Sequence, residues 1–97
     1  MPATSDVAAI THVVYAHGFR SSPQSFKAQF IARWLKQHRP DVQYLCPQLP
    51  VSPQAASELL LNAVHTWPKA SMAVMGSSLG GFYATWLSAV MQCKTVL

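Results

Sequence analysis

Strand-like and helix-like segments alternate along this chain of 97 residues, and this alternation constrains the fold more than any other feature of the sequence. Short runs rich in β-branched and aromatic residues predict strands. They lie at 11–16, 42–46 and 71–75, with a fourth that begins at Lys94. Longer stretches with apolar residues at helical spacing separate them. The pattern predicts an α/β fold of three layers, α/β/α, in which a parallel sheet of about four strands lies between helices.

Serine–proline pairs predict where two of the helices begin, because serine caps a helix and proline suits its first position. Ser22-Pro23 opens the first helix, which should end before Pro40, and Ser52-Pro53 opens the second, which should end before Pro68. The third helix is expected from about Leu79 to Gln92 and is apolar on nearly all sides, which is typical of a buried helix. Residues 1–10 are predicted to be a loose leader.

A glycine-flanked serine lies between the third predicted strand and the third helix. Gly76-Ser77-Ser78-Leu79-Gly80 fits the G-x-S-x-G pattern, in which a strand–turn–helix exposes the nucleophile of a hydrolase. Glycines are needed because a side chain would clash with the neighbouring strand and helix, and the helix N-terminus directs free N–H groups at the reacting atoms. We therefore predict that Ser78 is the catalytic nucleophile and that Ser77 is structural. The alternative is a tight turn in which Ser78 only caps the helix.

A second turn, His17-Gly18-Phe19, follows the first predicted strand. Acyl transfer develops an oxyanion, which two backbone N–H groups usually stabilise. Leu79, directly after the nucleophile, should donate one N–H, and Phe19 should donate the other. His17 is a possible base, but a histidine before glycine more often shapes its loop by hydrogen bonding. We predict supporting roles for His17 and Gly18, and for the two flanking glycines, Gly76 and Gly80.

Composition and charge exclude several classes of function. The formal charge is +4, but the basic residues of the first helix lie away from the glycine turns, without interleaved aromatic residues, so no nucleic-acid partner is expected. A phosphate-binding loop would carry Lys and then Ser or Thr where Phe82 and Tyr83 stand. Cys46 and Cys93 have neither metal-site nor disulfide spacing, which favours reduced thiols in the cytoplasm. No apolar run reaches the roughly 18 residues of a membrane span, and the N-terminus lacks the basic region of a signal peptide.

Three segments carry a family resemblance: 17–23, with the sequence HGFRSSP; 47–50, PQLP; and 76–87, GSSLGGFYATWL. With them the chain resembles the YqiA-type small bacterial esterases of the α/β-hydrolase superfamily over about residues 11–97. The resemblance implies a partial α/β-hydrolase fold and a cytoplasmic serine esterase that acts on short acyl esters without cofactor or metal. It implies Ser78 as the nucleophile, with Phe19 and Leu79 as the oxyanion donors.

The chain departs from that family in its catalytic triad. In the family an acid and a histidine follow the nucleophile, but no Asp, Glu or His follows Ser78 here. We therefore expect residues 1–97 to be a single domain, the N-terminal portion of an α/β-hydrolase, which is inactive or weakly active because it lacks the triad Asp and His.

The end of the sequence and its apolar composition lead to a further expectation. The chain is 51% hydrophobic and 10% charged, and its last predicted strand has no helix after it. These features predict self-association through an exposed sheet edge. The alternative function is a non-catalytic binding or assembly module that retains the hydrolase scaffold.

Overall fold

Four parallel strands form the middle layer of the structure, a computed structural model in which residues 10–18, 22–77 and 79–96 are described. The strands pair in the order β2-β1-β3-β4. Parallel neighbours need crossover connections, and a helix supplies each one. The strands are β1 (His12–Ala16), β2 (Gln43–Leu45), β3 (Met72–Gly76) and β4 (Lys94–Val96), and the helices are α1 (Phe26–His38), α2 (Pro53–Val64) and α3 (Leu79–Met91). The predicted fold class is confirmed, and the arrangement agrees with a partial α/β-hydrolase fold.

Alternate side chains of the central strands point to opposite faces of the sheet, because the side-chain period of a strand is two. On one face, Val14 and Val74 are fully buried in the main core against α2 and α3, which contribute Leu60 and Leu87. Burial of each such side chain stabilises the fold by about 1.5–3 kcal/mol. The other face carries Val13, Tyr15, Ala73 and Met75, and α1 packs on this side. The helices therefore lie on both sides of the sheet, as the alternating sequence predicts.

The start of α1 differs from the sequence-based prediction. Ser25 is the N-cap, and its hydroxyl accepts a hydrogen bond of 3.3 Å from the N–H of Ala28. The Ser22 hydroxyl instead accepts from the N–H of Gln24 at 3.1 Å, within a turn that precedes the helix. The predicted start at Pro23 is therefore wrong, because the earlier serine closes a turn and the later one caps the helix. In contrast, Ser52 caps α2 with Pro53 at its first position, as predicted.

Strand β4 lies at one edge of the sheet. It pairs with β3, and all three of its residues are exposed. Self-association through this edge stays a prediction. Among the helices in the described part of the chain, none combines the length and the apolar character that crossing a bilayer would need.

Candidate active site

Strand β3 passes into helix α3 through the glycine-flanked turn. Gly76 is the last residue of β3, and Leu79 is the first of α3, so the motif has the strand–turn–helix context that its catalytic interpretation requires. Two of the predicted site residues, Ser78 and Phe19, lie outside the described residues. The remaining predicted residues are His17, Gly18, Gly76, Leu79 and Gly80, and their surroundings define the site.

Both flanking glycines occupy positions without room for a side chain. A Cβ at Gly80 would lie 2.8 Å from the carbonyl carbon of Ala16, at the end of β1. A Cβ at Gly76 would lie 2.5 Å from the carbonyl carbon of Gly80. The obstacles are backbone atoms of a neighbouring strand and of the following helix. Glycine is therefore required here by close packing, and the absence of side chains brings the start of α3 against the end of β1.

Helix α3 directs its N-terminus at the carboxyl edge of the sheet. The first N–H groups of a helix have no partner within the helix, and the positive end of the helix dipole lies there. Leu79 is the first residue of α3 and is half-buried. Its N–H therefore belongs to the group of donors that can bind an anion beside the turn. The second turn, with His17 and Gly18, follows the neighbouring strand β1 at the same edge.

A buried tyrosine holds the other serine of the motif. The Tyr15 hydroxyl and the Ser77 hydroxyl are 3.1 Å apart and hydrogen-bonded, and Tyr15 is only 3% exposed. Tyr15 pairs in register with Met75, so the bond joins β1 to the residue that follows β3. The Ser77 side chain is therefore engaged in a cross-strand contact. This geometry favours a structural role for Ser77, as the sequence predicts.

His17 joins the loops after two neighbouring strands. Its Nε2 accepts a hydrogen bond of 2.9 Å from the backbone N–H of Leu49, and its Nδ1 lies 3.1 Å from the Gly18 carbonyl oxygen. Because the Leu49 N–H can only donate, Nε2 must be the unprotonated nitrogen and Nδ1–H the donor of a neutral ring. His17 is 4% exposed. Both nitrogens are therefore occupied, which leaves no lone pair to accept a proton from a serine.

The other described histidines lie at the opposite edge of the sheet. His12 begins β1, and its ring centroid lies 5.0 Å from that of Trp67, which follows α2. His38 ends α1, and its ring lies 4.6 Å from Trp34. His65 is the C-cap of α2. A five-residue strand spans about 16 Å, so these rings are far beyond hydrogen-bond reach of the turn after β3.

The described acids are also remote from the turn. Asp41 follows α1, and its carboxylate binds the Arg39 guanidinium at 2.9 Å. Hydrogen bonding to Arg39 lowers the pKa of Asp41 from its usual value. Arg39 also donates to the carbonyl oxygen of Ile10 at 3.1 Å, which places this pair at the amino edge of the sheet. Glu58 lies on the exposed surface of α2, where Gln54 donates to it. None of these carboxylates can orient a base at the carboxyl edge.

One further nucleophile lies at the carboxyl edge. Cys46 follows β2 directly and is half-buried. Burial raises the pKa of its thiol above the usual value, although the interaction with the Tyr44 side chain opposes this effect. A raised pKa lowers the thiolate fraction, and the thiolate is the reactive species. Burial therefore lowers the reactivity of the Cys46 thiol as a nucleophile. Within the described ranges, no group of three or more His, Cys, Asp or Glu side chains is arranged to hold a metal ion.

Sequence reasoning missed two groups that organise this site, namely the Tyr15 hydroxyl and the Leu49 N–H. Tyr15 stands in a strand pattern in which aromatic residues usually serve packing alone, and its bond to Ser77 spans 62 positions of sequence. The alternation along β1 could have placed Tyr15 on the same face as the residue after β3. Leu49 acts through its backbone, so its residue type carries no signal.

One comparison with known proteins bears on this site. Residues 12–97 match the family model described as "Uncharacterised protein family (UPF0227)". The matched range includes both turns at the carboxyl edge, the close-packed glycines and the loop that carries Leu49. The match confirms the family predicted from the three sequence segments, and the description of that family names no activity.

Proposed function

The chain belongs to that family, and on this premise we propose that it carries the nucleophile portion of a serine esterase acting on carboxylic esters. Ser78 attacks the acyl carbon of the ester, and the N–H groups of Leu79 and Phe19 stabilise the oxyanion that develops. The observation that supports this most is the close packing at Gly76 and Gly80. It presses the N-terminus of α3, which begins at the predicted donor Leu79, against the end of β1.

The base and the acid of the reaction are proposed to come from outside residues 1–97. His17 has both ring nitrogens in hydrogen bonds, and the other described histidines and acids are at the wrong edge or on the outer surface of α2. Without a base, the Ser78 hydroxyl is a weak nucleophile. Triad-deficient serine hydrolases retain about 10³–10⁴-fold catalysis over water, so weak esterase activity is expected from this chain alone. The two free thiols support the cytoplasm as its compartment.

The test is hydrolysis of a chromogenic short-chain ester, with mass spectrometry to locate the acylated serine. We expect Ser78→Ala to abolish the acyl adduct, because the adduct requires the serine hydroxyl, whereas the residual rate that comes from the oxyanion donors does not. Ser77→Ala is the matched control, because it removes the neighbouring hydroxyl and should change the rate only a few-fold, about 1 kcal/mol for one hydrogen bond. An acyl adduct that persists on the Ser78→Ala variant, or that forms on another serine of the unaltered chain, would refute the assignment of the nucleophile.

A second candidate function is a non-catalytic binding or assembly module on the same scaffold. The observation that favours it is the absence of an available base at the carboxyl edge among the described residues. The same assay separates the two functions. A module would give no protein-dependent hydrolysis and no acyl adduct on Ser78, even when the ester is in large excess.

A further inference from the structure

His17 lies where three segments of the carboxyl edge meet. Its side chain binds the loop after β2, through the 2.9 Å hydrogen bond from the Leu49 N–H to Nε2. Its backbone lies against the start of α3, since a Cβ at Gly80 would come within 2.9 Å of the His17 carbonyl carbon. In the sequence it stands two residues before Phe19, one of the two predicted oxyanion donors. A shift of His17 would therefore reach the segments that carry both predicted donors.

The loop that His17 binds is anchored in the core by the same residue that bonds to the ring. The Leu49 side chain is only 8% exposed and belongs to the core cluster that includes Leu60 of α2. Its backbone N–H is buried and donates to His17. Leu49 therefore has a side chain fixed against α2 and a backbone donor fixed to the ring, so the ring joins the turn after β1 to the core.

Only the neutral form of the His17 ring is able to make this contact. A neutral imidazole has one N–H and one acceptor nitrogen, whereas a protonated imidazole has two N–H groups and no acceptor. In His17, Nδ1–H donates to the Gly18 carbonyl oxygen at 3.1 Å, and Nε2 is the acceptor. Protonation would place an Nε2–H opposite the Leu49 N–H. Two donors would then face each other inside the protein, and the link would be lost.

The surroundings of the ring provide no partner for a positive charge. Apart from the histidines at the far edge, the titratable side chains on the elements packed around it are Tyr15 on its own strand, Tyr44 and Cys46 on and after β2, Glu58 on α2 and Tyr83 on α3. Phenols and thiols are uncharged below about pH 7. Glu58 is exposed and accepts a hydrogen bond from Gln54 instead, and Lys27 at the start of α1 is itself a cation. Among the described residues, no carboxylate is bonded to the His17 ring.

We propose that His17 is a positioning residue: its neutral ring fixes the turn before Phe19 against the loop after β2, and protonation of the ring releases that turn. With both ring nitrogens occupied, His17 acts through the backbone of its own turn and through its contact with the start of α3. The catalytic consequence, a loss of alignment of the oxyanion donors in acid, rests on the proposed esterase function. The structural consequence, release of the Leu49 N–H, does not.

Hydrogen exchange of the Leu49 amide, measured by NMR on the isotope-labelled chain, tests the release. The nitrogen chemical shifts of the His17 ring report its protonation in the same samples. We expect Nδ1 to carry the proton of the neutral ring. The protection factor of the Leu49 amide should fall at least about ten-fold once the ring is protonated, as expected for one lost hydrogen bond. The amide of Leu60, which is fully buried in α2, is the control and should keep its protection.

Three results of this measurement would overturn the proposal. The first is unchanged protection of Leu49 after the His17 ring has been protonated. The second is a neutral ring that carries its proton on Nε2, because such a ring cannot accept from Leu49. The third is an equal loss of protection at Leu49 and Leu60, because acid would then unfold the whole chain rather than release one turn.

Two amide variants separate the acceptor from the rest of the side chain. The carbonyl oxygen of glutamine reaches about as far as Nε2 of histidine, whereas that of asparagine reaches only about as far as Nδ1. His17→Gln should keep the protection of Leu49 within about three-fold, and His17→Asn should lower it at least about ten-fold. Neither amide titrates, so protection in both variants should be independent of acid. Equal protection of Leu49 in the two variants would contradict the role of Nε2.

Acylation of Ser78 by the chromogenic ester tests the catalytic consequence. The rate of the unaltered chain is divided by that of His17→Gln at each pH, which removes the effect of pH on the ester itself. This ratio should be near one at about pH 8, where histidine is neutral, and should fall at least about ten-fold when His17 is protonated, because misplaced groups lose up to about a hundred-fold in rate. A ratio independent of pH would refute the positioning role. No acyl adduct on Ser78 at any pH would refute the esterase function and with it the catalytic role of His17, while the exchange measurement still decides the release.

Discussion

Replacing Gly80 with alanine tests the packing on which the candidate site depends. The added Cβ would lie 2.8 Å from the carbonyl carbon of Ala16 and 2.9 Å from that of His17, whereas carbon atoms pack at about 3.5–4.0 Å. Both obstacles are backbone, and Ala16 is fully buried, so no side-chain rotation relieves the overlap. The start of α3 must therefore move away from β1.

The magnitude follows from two opposing effects. Overpacking of a dense core costs about 1–3 kcal/mol and sometimes more, and an overlap with fixed backbone belongs at the upper end. Alanine gains about 1 kcal/mol over glycine within a helix. The net expectation is a free energy of unfolding lowered by roughly 2 kcal/mol or more, which for a domain of this size lowers Tm by about 8–16 °C.

Urea denaturation followed by circular dichroism measures this change. The matched control is Gly81→Ala, which adds the same methyl group one position further along α3, where Gly81 is half-buried. We expect Gly81→Ala to be neutral or to stabilise by up to about 1 kcal/mol. If Gly80→Ala proves as stable as Gly81→Ala, the start of α3 does not press against β1, and the support for the oxyanion site is lost.

Two further predictions concern buried polar groups. The Tyr83 hydroxyl is buried without a hydrogen-bond partner among the described residues, so Tyr83→Phe should raise the free energy of unfolding by about 1 kcal/mol, measured in urea. Tyr44→Phe is the control and should lower the free energy of unfolding, because the Tyr44 hydroxyl donates a hydrogen bond of 3.1 Å to the Ala28 carbonyl. A loss of stability in both variants would contradict the prediction for Tyr83. Burial raises the pKa of the thiols of Cys46 and Cys93. In the folded protein at about pH 8, both should therefore react with iodoacetamide more slowly than free cysteine does. In the unfolded protein, both should react as fast as free cysteine. A thiol whose pKa is raised in the folded state makes the free energy of unfolding depend on pH. The stabilisation is fully present below the ordinary thiol pKa and is lost as the pH rises through the pKa of the folded state. Reaction of the folded thiols at the rate of free cysteine would contradict this prediction.

Local signals in the sequence were sufficient for the order and type of the elements. Serine–proline pairs, apolar spacing and the glycine-flanked serine are properties of neighbouring residues, and the observed helices and strands follow them closely. The start of α1 is the exception, because Ser22 and Ser25 can both close a turn or cap a helix. Both serines make such local hydrogen bonds in the structure, so the serine–proline pattern alone does not identify the cap.

The requirement for glycine at the turn was also readable from the sequence, since the motif itself implies close packing. The residues that contact the site could not be identified from the sequence. Gly80 lies against Ala16, Ser77 is hydrogen-bonded to Tyr15, and His17 accepts a hydrogen bond from the Leu49 N–H. These contacts join residues 32 or more positions apart, and they exist only because β1 lies between β2 and β3. A strand order is a property of the whole sheet and leaves no local pattern in the chain.

The sequence by itself therefore determined that this chain forms a parallel α/β sheet with a serine between close-packed glycines. The tertiary structure decided that His17 is held as a neutral ring by the loop after β2, and that the other described histidines lie at the far edge. It also decided that β3 and β4 leave an apolar groove beside α1. The physical reason is that hydrogen-bond partners and uncovered surface depend on which strands become neighbours in the sheet, whereas helix caps and turns depend on residues a few positions apart.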